Sequence, residues 1–399
     1  MKNRQDELRK QLKEKLTANL DFSKEVSDEE MQELIDELLM GEGKRQRLSL
    51  SEKERLRRDL FHAVRKLDIL QELVDDVDIT EIMINGPGNI FIEKKGRLIQ
   101  LEQKFESKEK LEDVIQQIVA ACNRVVNEAS PIVDARLKNG ARVNVVLAPI
   151  ALNGPILTIR KFPDQPITME NLIAFGSIPE KVCKWLQKLV EARYNIFISG
   201  GTGSGKTTFL NAMSNYIPKE ERIITIEDSA ELQLLDIPNI VRMETRNANV
   251  EGCREITIRD LIRTSLRMRP DRIIVGEVRG GEAFDMMQCL NTGHDGSMST
   301  GHANSAKDML SRLENMILMG MDLPLNAMKQ QIASGIDILI HLGRLRDKSR
   351  KVLEITEVLG FEQEEIQLKT LYRFEEKGED AKGMVLGVLE QKGELCYVE

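Results

Sequence analysis

The segment Gly200-Gly201-Thr202-Gly203-Ser204-Gly205-Lys206-Thr207-Thr208 is the most informative part of this chain. It fits the pattern Gly-x-x-x-x-Gly-Lys-Thr, which binds phosphate when a strand precedes it and a helix follows it. An apolar, β-rich run at 194–199 comes before the stretch, and an amphipathic run that ends near Pro218 comes after it. We therefore predict a loop that binds the phosphates of a nucleoside triphosphate.

Each residue type in this loop has a chemical reason to be there. Glycines let several backbone N–H groups point at a phosphate, and the N-terminus of the following helix adds partial positive charge. The Lys206 side chain is expected to reach the outer phosphates, and the Thr207 hydroxyl to ligate Mg²⁺. The predicted nucleotide-binding residues of the loop are Gly201, Thr202, Gly203, Ser204, Gly205, Lys206, Thr207 and Thr208.

The composition limits the classes of protein to which this chain can belong. A length of 399 residues suffices for two or three domains, and the net charge of −8 argues against bulk affinity for nucleic acid. The five cysteines are scattered singly, which is typical of reduced thiols and excludes the usual four-cysteine zinc module. No signal peptide and no run of about 20 apolar residues occurs, so we expect a soluble protein that reaches a membrane only through partners.

Hydrophobic periodicity and turn residues divide the chain into predicted regions. The first region is charged and helical in pattern. For residues 1–25 the sequence fits a helix that docks on a partner and a disordered charged tail equally well. Short strands with tight turns follow, then a segment with two prolines, then alternating strands and helices. The regions are a helical region at 1–54, an α+β domain at 55–162, a linker at 163–170, an α/β domain at 171–374 and a C-terminal appendage at 375–399.

Two further stretches place carboxylates where a phosphate loop needs them. The run from Ile273 ends in Glu277, an acid at the end of a buried strand, which would hold Mg²⁺ through water. A second buried strand ends at Glu227 and leads into an acidic loop that contains Glu231. Because strand carboxyl ends line the ligand crevice of an α/β sheet, one of these acids is a candidate for orienting the attacking water.

Histidine and arginine supply the remaining candidates. Two of the four histidines, His294 and His302, fall in one glycine-rich stretch, where an imidazole can contact the γ-phosphate or the water-orienting acid. Arg142 and Arg160 lie on predicted strands before the linker. Phosphoryl transfer often uses a guanidinium from outside the phosphate-loop domain, so both arginines are candidates for contacting phosphate.

Four stretches, taken in this order, resemble the Walker A motif, Asp box, Walker B motif and His box of the secretion traffic ATPases. They are GGTGSGKTT, TIEDSAEL, RPDRIIVGEVRGGEAFDM and NTGHDGSMSTGHANS, and the resemblance covers about residues 55–372. Within that superfamily, the runs EITIRDLIRTSLRMRPDRIIVGEVRGGEA and RVNVVLAPIALNGPILTIRKF are most similar to the tight-adherence (Flp) pilus branch. Gly301 departs from the pattern, since many relatives have an apolar residue there.

The resemblance implies an α/β fold, with a RecA-like P-loop NTPase motor domain preceded by a PAS-like α+β domain and a short N-terminal helical region. It also implies a homo-hexameric ring that binds ATP and Mg²⁺ between the two domains. By motif, Lys206 handles the phosphates, and Thr207 and Glu277 hold the metal. Glu231 is the preferred water-orienting glutamate and Glu227 the second choice, His302 is the His-box residue, and Arg142 and Arg160 approach the phosphates.

The expected function is that of an ATP-hydrolysing motor. It would be cytoplasmic and peripheral at the inner face of the cytoplasmic membrane, and would act on inner-membrane pilus platform proteins and, through them, on the pilin machinery. No direct nucleic-acid partner is expected. Two other functions remain open, namely a type IV secretion or conjugation motor for DNA or protein, and a nucleotide-dependent scaffold with little turnover.

Overall fold

The chain forms two compact units, Met1–Asp164 and Gln165–Glu399. This computed structural model describes residues 2–19, 26–46, 48–94, 96–137, 139–162, 166–235, 237–246, 254–381 and 383–396. Within those ranges, no helix is long and apolar enough to span a bilayer.

Three helices open the first unit: α1 (Lys2–Asn19), α2 (Asp28–Gln46) and α3 (Leu50–Arg65). They bury a shared apolar cluster, to which α1 contributes leucines spaced four residues apart. Residues 2–19 are thus helical, and residues 20–25 lie outside the described ranges. The predicted boundary after residue 54 is wrong, because a capping box between Ser49 and Glu52 starts α3 before it and the helix continues through it.

The rest of the first unit is an antiparallel sheet with two helices. Its strands stand in the order β3-β2-β1-β6-β5-β4, and they bury apolar side chains against the helices. A hairpin joins β4 to β5 with Gly140 at a φ of +90°, as the Asn-Gly pair predicts. The elements are α4 (Leu70–Asp75), β1 (Ile79–Asn85), β2 (Ile90–Lys94), β3 (Arg97–Gln100), α5 (Lys108–Ala121), β4 (Ile132–Arg136), β5 (Arg142–Val146) and β6 (Ile156–Arg160).

The second unit is built on a nine-stranded sheet in the order β15-β14-β13-β12-β7-β11-β10-β8-β9. The strands from β12 to β9 in this order run parallel, and β13, β14 and β15 continue the sheet antiparallel. Helices cover both faces and form two apolar clusters, which explains the nearly continuous apolar runs of the central strands.

From α7 to β13 these elements follow the predicted alternation of strands and helices, whereas α6, β14 and β15 were not predicted. The helices are α6 (Met169–Ala174), α7 (Glu180–Glu191), α8 (Lys206–Ser214), α9 (Ile258–Ser265), α10 (Glu282–Leu290), α11 (Ala306–Gly320) and α12 (Leu325–Gly335). The strands are β7 (Ile196–Gly200), β8 (Ile223–Glu227), β9 (Ile240–Glu244), β10 (Arg272–Val275), β11 (Met298–His302), β12 (Ile338–Arg344), β13 (Arg350–Glu362), β14 (Glu365–Glu379) and β15 (Val385–Gln391).

The C-terminal residues belong to the main sheet and are not an appendage. Strand β14 passes through the predicted boundary at residue 374, and β15 pairs with it beyond that point. The sequence after residue 374 is rich in charged residues and therefore did not predict strands. Antiparallel strands near a sheet edge need only one apolar face, so charged residues can occupy the other. At the other boundary, residues 163–165 of the predicted linker lie outside the described residues, and α6 already begins at Met169.

Candidate nucleotide site

Four adjacent parallel strands end at one edge of the second sheet, and each brings one candidate group there. In spatial order they are β7, which leads into the phosphate loop, β11, which ends at His302, β10, which precedes Glu277, and β8, which ends at Glu227. Parallel strands place their carboxyl ends at one edge, where α/β sheets bind ligands. The structure therefore brings together the four motifs that are separate in sequence.

The phosphate loop has the backbone that its glycines predict. Gly203 and Gly205 have φ values of +72° and +92°, which L side chains rarely adopt. A Cβ on Gly200 would lie 2.5 Å from the carbonyl oxygen of Leu342, so only glycine fits between β7 and β12 at that point. Lys206 begins α8 and is buried, whereas Thr207 and Thr208 are half-buried in its first turn, and Gly201 and Thr202 are exposed.

Lys206, His302 and Glu277 form a continuous polar chain beside the loop. The Lys206 ammonium lies 3.3 Å from the Gly201 carbonyl oxygen and 3.2 Å from His302 Nδ1, and His302 Nε2 lies 2.8 Å from Glu277 Oε1. An ammonium can only donate, so Nδ1 is the acceptor and the neutral ring carries its proton on Nε2. Burial and the nearby Lys206 lower the pKa of His302, which favours this neutral form.

Lys206 is itself affected by its surroundings. Burial lowers the pKa of its ammonium, and the Glu277 carboxylate opposes that change. A phosphate placed next to Lys206 would stabilise the charged ammonium and raise its pKa.

Glu277 is fixed in place from two sides. Its Oε2 accepts from Arg279 Nε at 2.7 Å, and Arg279 also lies 3.6 Å from Asp228 in the acidic loop. The residue between β10 and Glu277 is held by β11, since Thr300 Oγ1 donates to the Gly276 carbonyl at 2.7 Å. Arg279 thereby connects the acid after β10 to the loop after β8.

Glu227 is a buried acid that shapes the acidic loop. Its side chain packs against Gly276, where a Cβ would approach it to 2.9 Å. Its Oε1 accepts from the backbone N–H groups of Glu231 and Leu232 at 2.8 and 3.0 Å, while Oε2 is buried without a hydrogen-bond partner. Burial raises the pKa of Glu227 to about 7, although the two backbone hydrogen bonds oppose this.

Glu231 is half-buried at the end of this loop, with its backbone held by Glu227. The residues after it are anchored as well, since Asn211 of α8 accepts from Gln233 N at 2.7 Å and Arg242 donates to the Leu232 carbonyl at 2.6 Å. The phosphate-loop helix and the acidic loop are therefore one connected structure.

A family model described as type II/IV secretion system protein matches residues 64–385 of this chain. A Mycobacterium tuberculosis protein named for conjugal transfer is 35% identical over 293 residues, which are 72% of this chain and 83% of that protein. The conjugal transfer protein TrbB of Rhizobium radiobacter is 31% identical over 321 residues, which are 78% of this chain and 95% of TrbB. The chain belongs to the type II/IV secretion system protein family.

The fold agrees with that membership. The solved structure of the Legionella pneumophila ATPase DotB is 21% identical and superposes with a TM-score of 0.51, covering 74% of this chain and 80% of DotB. Family membership and shared fold confirm the prediction that this chain is an ATPase with an α/β motor fold and a preceding domain. The binding of ATP, which the family resemblance implied, follows from the same membership.

Gly301 and His294 lie in the glycine-rich stretch but outside the polar chain. Gly301, the departure from the pattern of many relatives, lies inside β11, where a Cβ would approach Met309 Cε to 2.8 Å and Phe197 Cε1 to 3.0 Å. A larger residue there would require the Met309 and Phe197 side chains to shift. His294 contacts the Cys289 carbonyl at 3.3 Å through Nδ1, and it is not part of the Lys206–His302–Glu277 chain.

In the first unit, Arg142 and Arg160 are direct neighbours. They stand opposite each other on β5 and β6, and Arg136 of β4 stands opposite Arg142 in the same row. Arg142 lies 5.9 Å from the centre of the Phe162 ring. The sequence analysis missed Arg136, although the hairpin turn at Asn139-Gly140 already places it across from Arg142.

Sequence analysis also missed three groups beside the phosphate loop. His341 Nδ1 lies 2.9 Å from Ser199 Oγ in β7, and the ring also hydrogen-bonds to the backbone of Asn304, just after β11. Arg344 and Arg350 lie against the loop from the β12–β13 hairpin. The β12–β7 pairing creates all three contacts, and no local sequence motif marks it.

The oxygen groups at this edge suit Mg²⁺. Among the residues described, no group of three or more His, Cys, Asp or Glu could hold a metal by itself. That agrees with a magnesium ion in a phosphate-loop site, which takes most of its ligands from phosphates and water and only one or two from the protein. The Thr207 hydroxyl and the Glu277 carboxylate are oxygen donors of the kind that Mg²⁺ prefers.

Proposed function

We propose that this chain is an ATP-hydrolysing motor that works as a homo-hexamer and drives assembly of a tight-adherence pilus, or assembly and retraction. The observation that supports it most is the convergence of the phosphate loop, His302, Glu277 and Glu227 at the ends of four adjacent parallel strands. The branch within the family rests on the resemblance of the runs at 255–283 and 142–162 to tight-adherence motors.

In this proposal the loop and Lys206 hold the triphosphate, and Thr207 and Glu277 hold the Mg²⁺, which would neutralise charge on the outer phosphates. Lys206 has two functions, since its ammonium also donates to His302. Arg279 keeps the Glu277 carboxylate from rotating away. Both arrangements are present in the protein and therefore need no rearrangement during the reaction.

Glu231 orients the attacking water in this proposal, and Glu227 positions Glu231. Glu227 is 3% exposed and its Oε1 is occupied by two backbone N–H groups, which makes it a poor contact for water. Glu231 lies on the loop that Glu227 holds and is more accessible. The water oxygen bonds to the γ-phosphorus while the bond from that phosphorus to the bridging oxygen breaks, and the proton of the water passes to the released phosphate. The Lys206 ammonium would neutralise the negative charge that develops on ADP.

Arg142 and Arg160 contribute guanidinium groups to the same reaction in this proposal, as the family resemblance implies. Their direct pairing on β5 and β6 makes them a single cationic feature, to which Arg136 adds a third charge. The N-terminal domain is proposed to be PAS-like, with residues around 163–170 as the link to the motor domain. The proposed location is the inner face of the cytoplasmic membrane, on platform proteins of the pilus.

A conjugation or type IV secretion motor is the second candidate, because relatives with over 30% identity carry conjugal transfer names. The two candidates predict different activators of the ATPase. A pilus motor is expected to respond to the cytoplasmic domain of its platform protein, and a DNA-transport motor to single-stranded DNA.

The test measures phosphate release by purified hexamer with each activator added separately. Stimulation of severalfold by the platform domain, with no response to single-stranded DNA, is the expected result. Strong stimulation by DNA with none by the platform domain would replace the pilus proposal with the conjugation motor.

A further inference from the structure

Two arginines of the β12–β13 hairpin lie against the phosphate loop, and the mechanism above does not use them. Arg350 Nε donates to the Gly203 carbonyl at 2.9 Å, and a Cβ on Gly205 would lie 3.3 Å from Arg350 Cδ. Arg344 Nη1 would lie 3.7 Å from a Cβ on Gly203. Both side chains therefore rest on the loop that holds the nucleotide.

These two arginines stand directly opposite each other. Arg344 is the last residue of β12 and Arg350 the first of β13, and the two are cross-strand partners. Like charges in this position destabilise a strand pair. In the part of the chain that the structure describes, no Asp or Glu forms an ion pair with either arginine.

Two other cations of the hairpin, Arg346 and Lys351, have partners away from the phosphate loop. Arg346 forms ion pairs with Glu376 and Glu379, and Lys351 donates to the Gly176 carbonyl at 2.6 Å. Asp347, the acid of the hairpin, accepts from Ser349 and Val385. Arg344 and Arg350 thus differ from Arg346 in having no ion pair with a carboxylate, so an anion at the loop would relieve their mutual repulsion.

The position of the hairpin indicates which part of a nucleotide it meets. Strand β12 flanks β7 on one side, whereas β11 and β10, which carry His302 and Glu277, lie on the other. Lys206 and Glu277 mark the side of the outer phosphates. The arginine pair therefore lies on the opposite side of the loop, towards the phosphate that carries the nucleoside.

We propose that Arg344 and Arg350 bind the α-phosphate of the nucleotide and so increase affinity for ATP and ADP equally. The Gly203 carbonyl occupies Arg350 Nε and leaves both Nη groups to donate, and a planar guanidinium suits a phosphate. This proposal rests on the proposed function, because it assumes that the loop binds nucleotide. It assigns the pair to binding and not to the hydrolytic step.

The test measures the dissociation constants of ATP and ADP, together with KM and kcat, for Arg344→Ala, Arg350→Ala and the double variant. Each single change is expected to weaken both nucleotides about tenfold and the double change at least about 30-fold, with kcat within about twofold of wild type. Arg346→Ala is the matched control, since it removes an arginine of the same hairpin whose partners are Glu376 and Glu379. It is expected to leave both affinities unchanged.

Arg344→Ala distinguishes a loss of nucleotide binding from a distortion of the phosphate loop. Of the two arginines, Arg350 is the one that donates a hydrogen bond to the loop, so removing Arg344 leaves that bond in place. Wild-type affinities in Arg344→Ala and the double variant would overturn the proposal, as would a fall in kcat with unchanged affinities. A loss of ATP affinity that spares ADP would also overturn it, because it would place the pair at the γ-phosphate. If wild type itself binds no nucleotide, the proposed function fails. If Lys206→Ala loses binding while the double variant keeps it, only this inference fails.

Discussion

Replacing Glu227 with glutamine should remove a pH dependence from the stability of the motor domain. Burial raises the pKa of this carboxyl to about 7 in the folded protein, against 4.5 for an unperturbed glutamate. The groups that act on it are the N–H groups of Glu231 and Leu232 and the charged Arg242, which lower the pKa, and the Glu231 carboxylate, which raises it. Glutamine keeps an oxygen for the two N–H groups and cannot ionise.

The sign follows from the raised pKa. The folded state holds the proton more tightly than the unfolded chain, so the contribution to stability is complete below about pH 4.5 and is lost as the pH rises through about 7. The full contribution is about 3 kcal/mol, of which roughly 2–3 kcal/mol falls between pH 5 and pH 8. The free energy of unfolding of Glu227→Gln, relative to wild type, should rise by that amount over this interval.

Trp185 provides the assay. It is the single tryptophan of the chain, lies in α7 of the second unit and packs against the Tyr372 ring at 5.2 Å between centres. Urea unfolding followed by its fluorescence reports on the second unit, which is necessary because a two-unit chain need not unfold in one step. Glu244→Gln removes an exposed carboxylate at the same register of β9 and controls for the loss of one charge. Parallel pH profiles for wild type and Glu227→Gln would refute the reasoning.

Three other substitutions test separate parts of the account. Glu231→Gln should bind ATP with wild-type affinity and hydrolyse it about 100-fold more slowly, and a wild-type rate in single-turnover phosphate release would transfer the water-orienting role to Glu227. Gly301→Val should destabilise the second unit by about 1–3 kcal/mol in the Trp185 unfolding assay, because a side chain would collide with Met309 and Phe197. Unchanged stability would show that the packing around β11 accommodates the larger side chain. Arg142→Ala should lower kcat about tenfold or more with little change in ADP affinity, and an unchanged kcat would remove it from the proposed site.

Local patterns were sufficient to predict the α/β alternation up to β13 and the groups at the edge of its parallel strands. Strands β7, β8 and β10 are short apolar runs that must be buried on both faces, and each ends in a polar residue or a glycine loop. In a parallel sheet this alone places Lys206, Glu227 and Glu277 at one edge. Two histidines of one glycine-rich stretch were candidates as well, and the family resemblance selected His302, which the structure places between Lys206 and Glu277.

Pairing between distant strands was not predictable in the same way. The row formed by Arg136, Arg142 and Arg160 depends on the register of three strands, and the contact of Arg350 with Gly203 joins residues 147 positions apart. The different burial of Glu227 and Glu231 also depends on tertiary packing, since both acids belong to one acidic stretch of sequence. Sequence therefore supplied the candidates, and only the folded structure distinguished their surroundings.

Phosphate release at saturating MgATP, measured for wild type and Lys206→Ala, shows whether the phosphate loop is the hydrolytic site. We expect sustained turnover by the wild-type protein and none above background by the variant, which lacks the ammonium that we propose to contact the outer phosphates. Undiminished turnover in Lys206→Ala would contradict the assignment of the site, and the absence of turnover in the assembled wild-type protein would contradict the motor itself and favour a nucleotide-dependent scaffold.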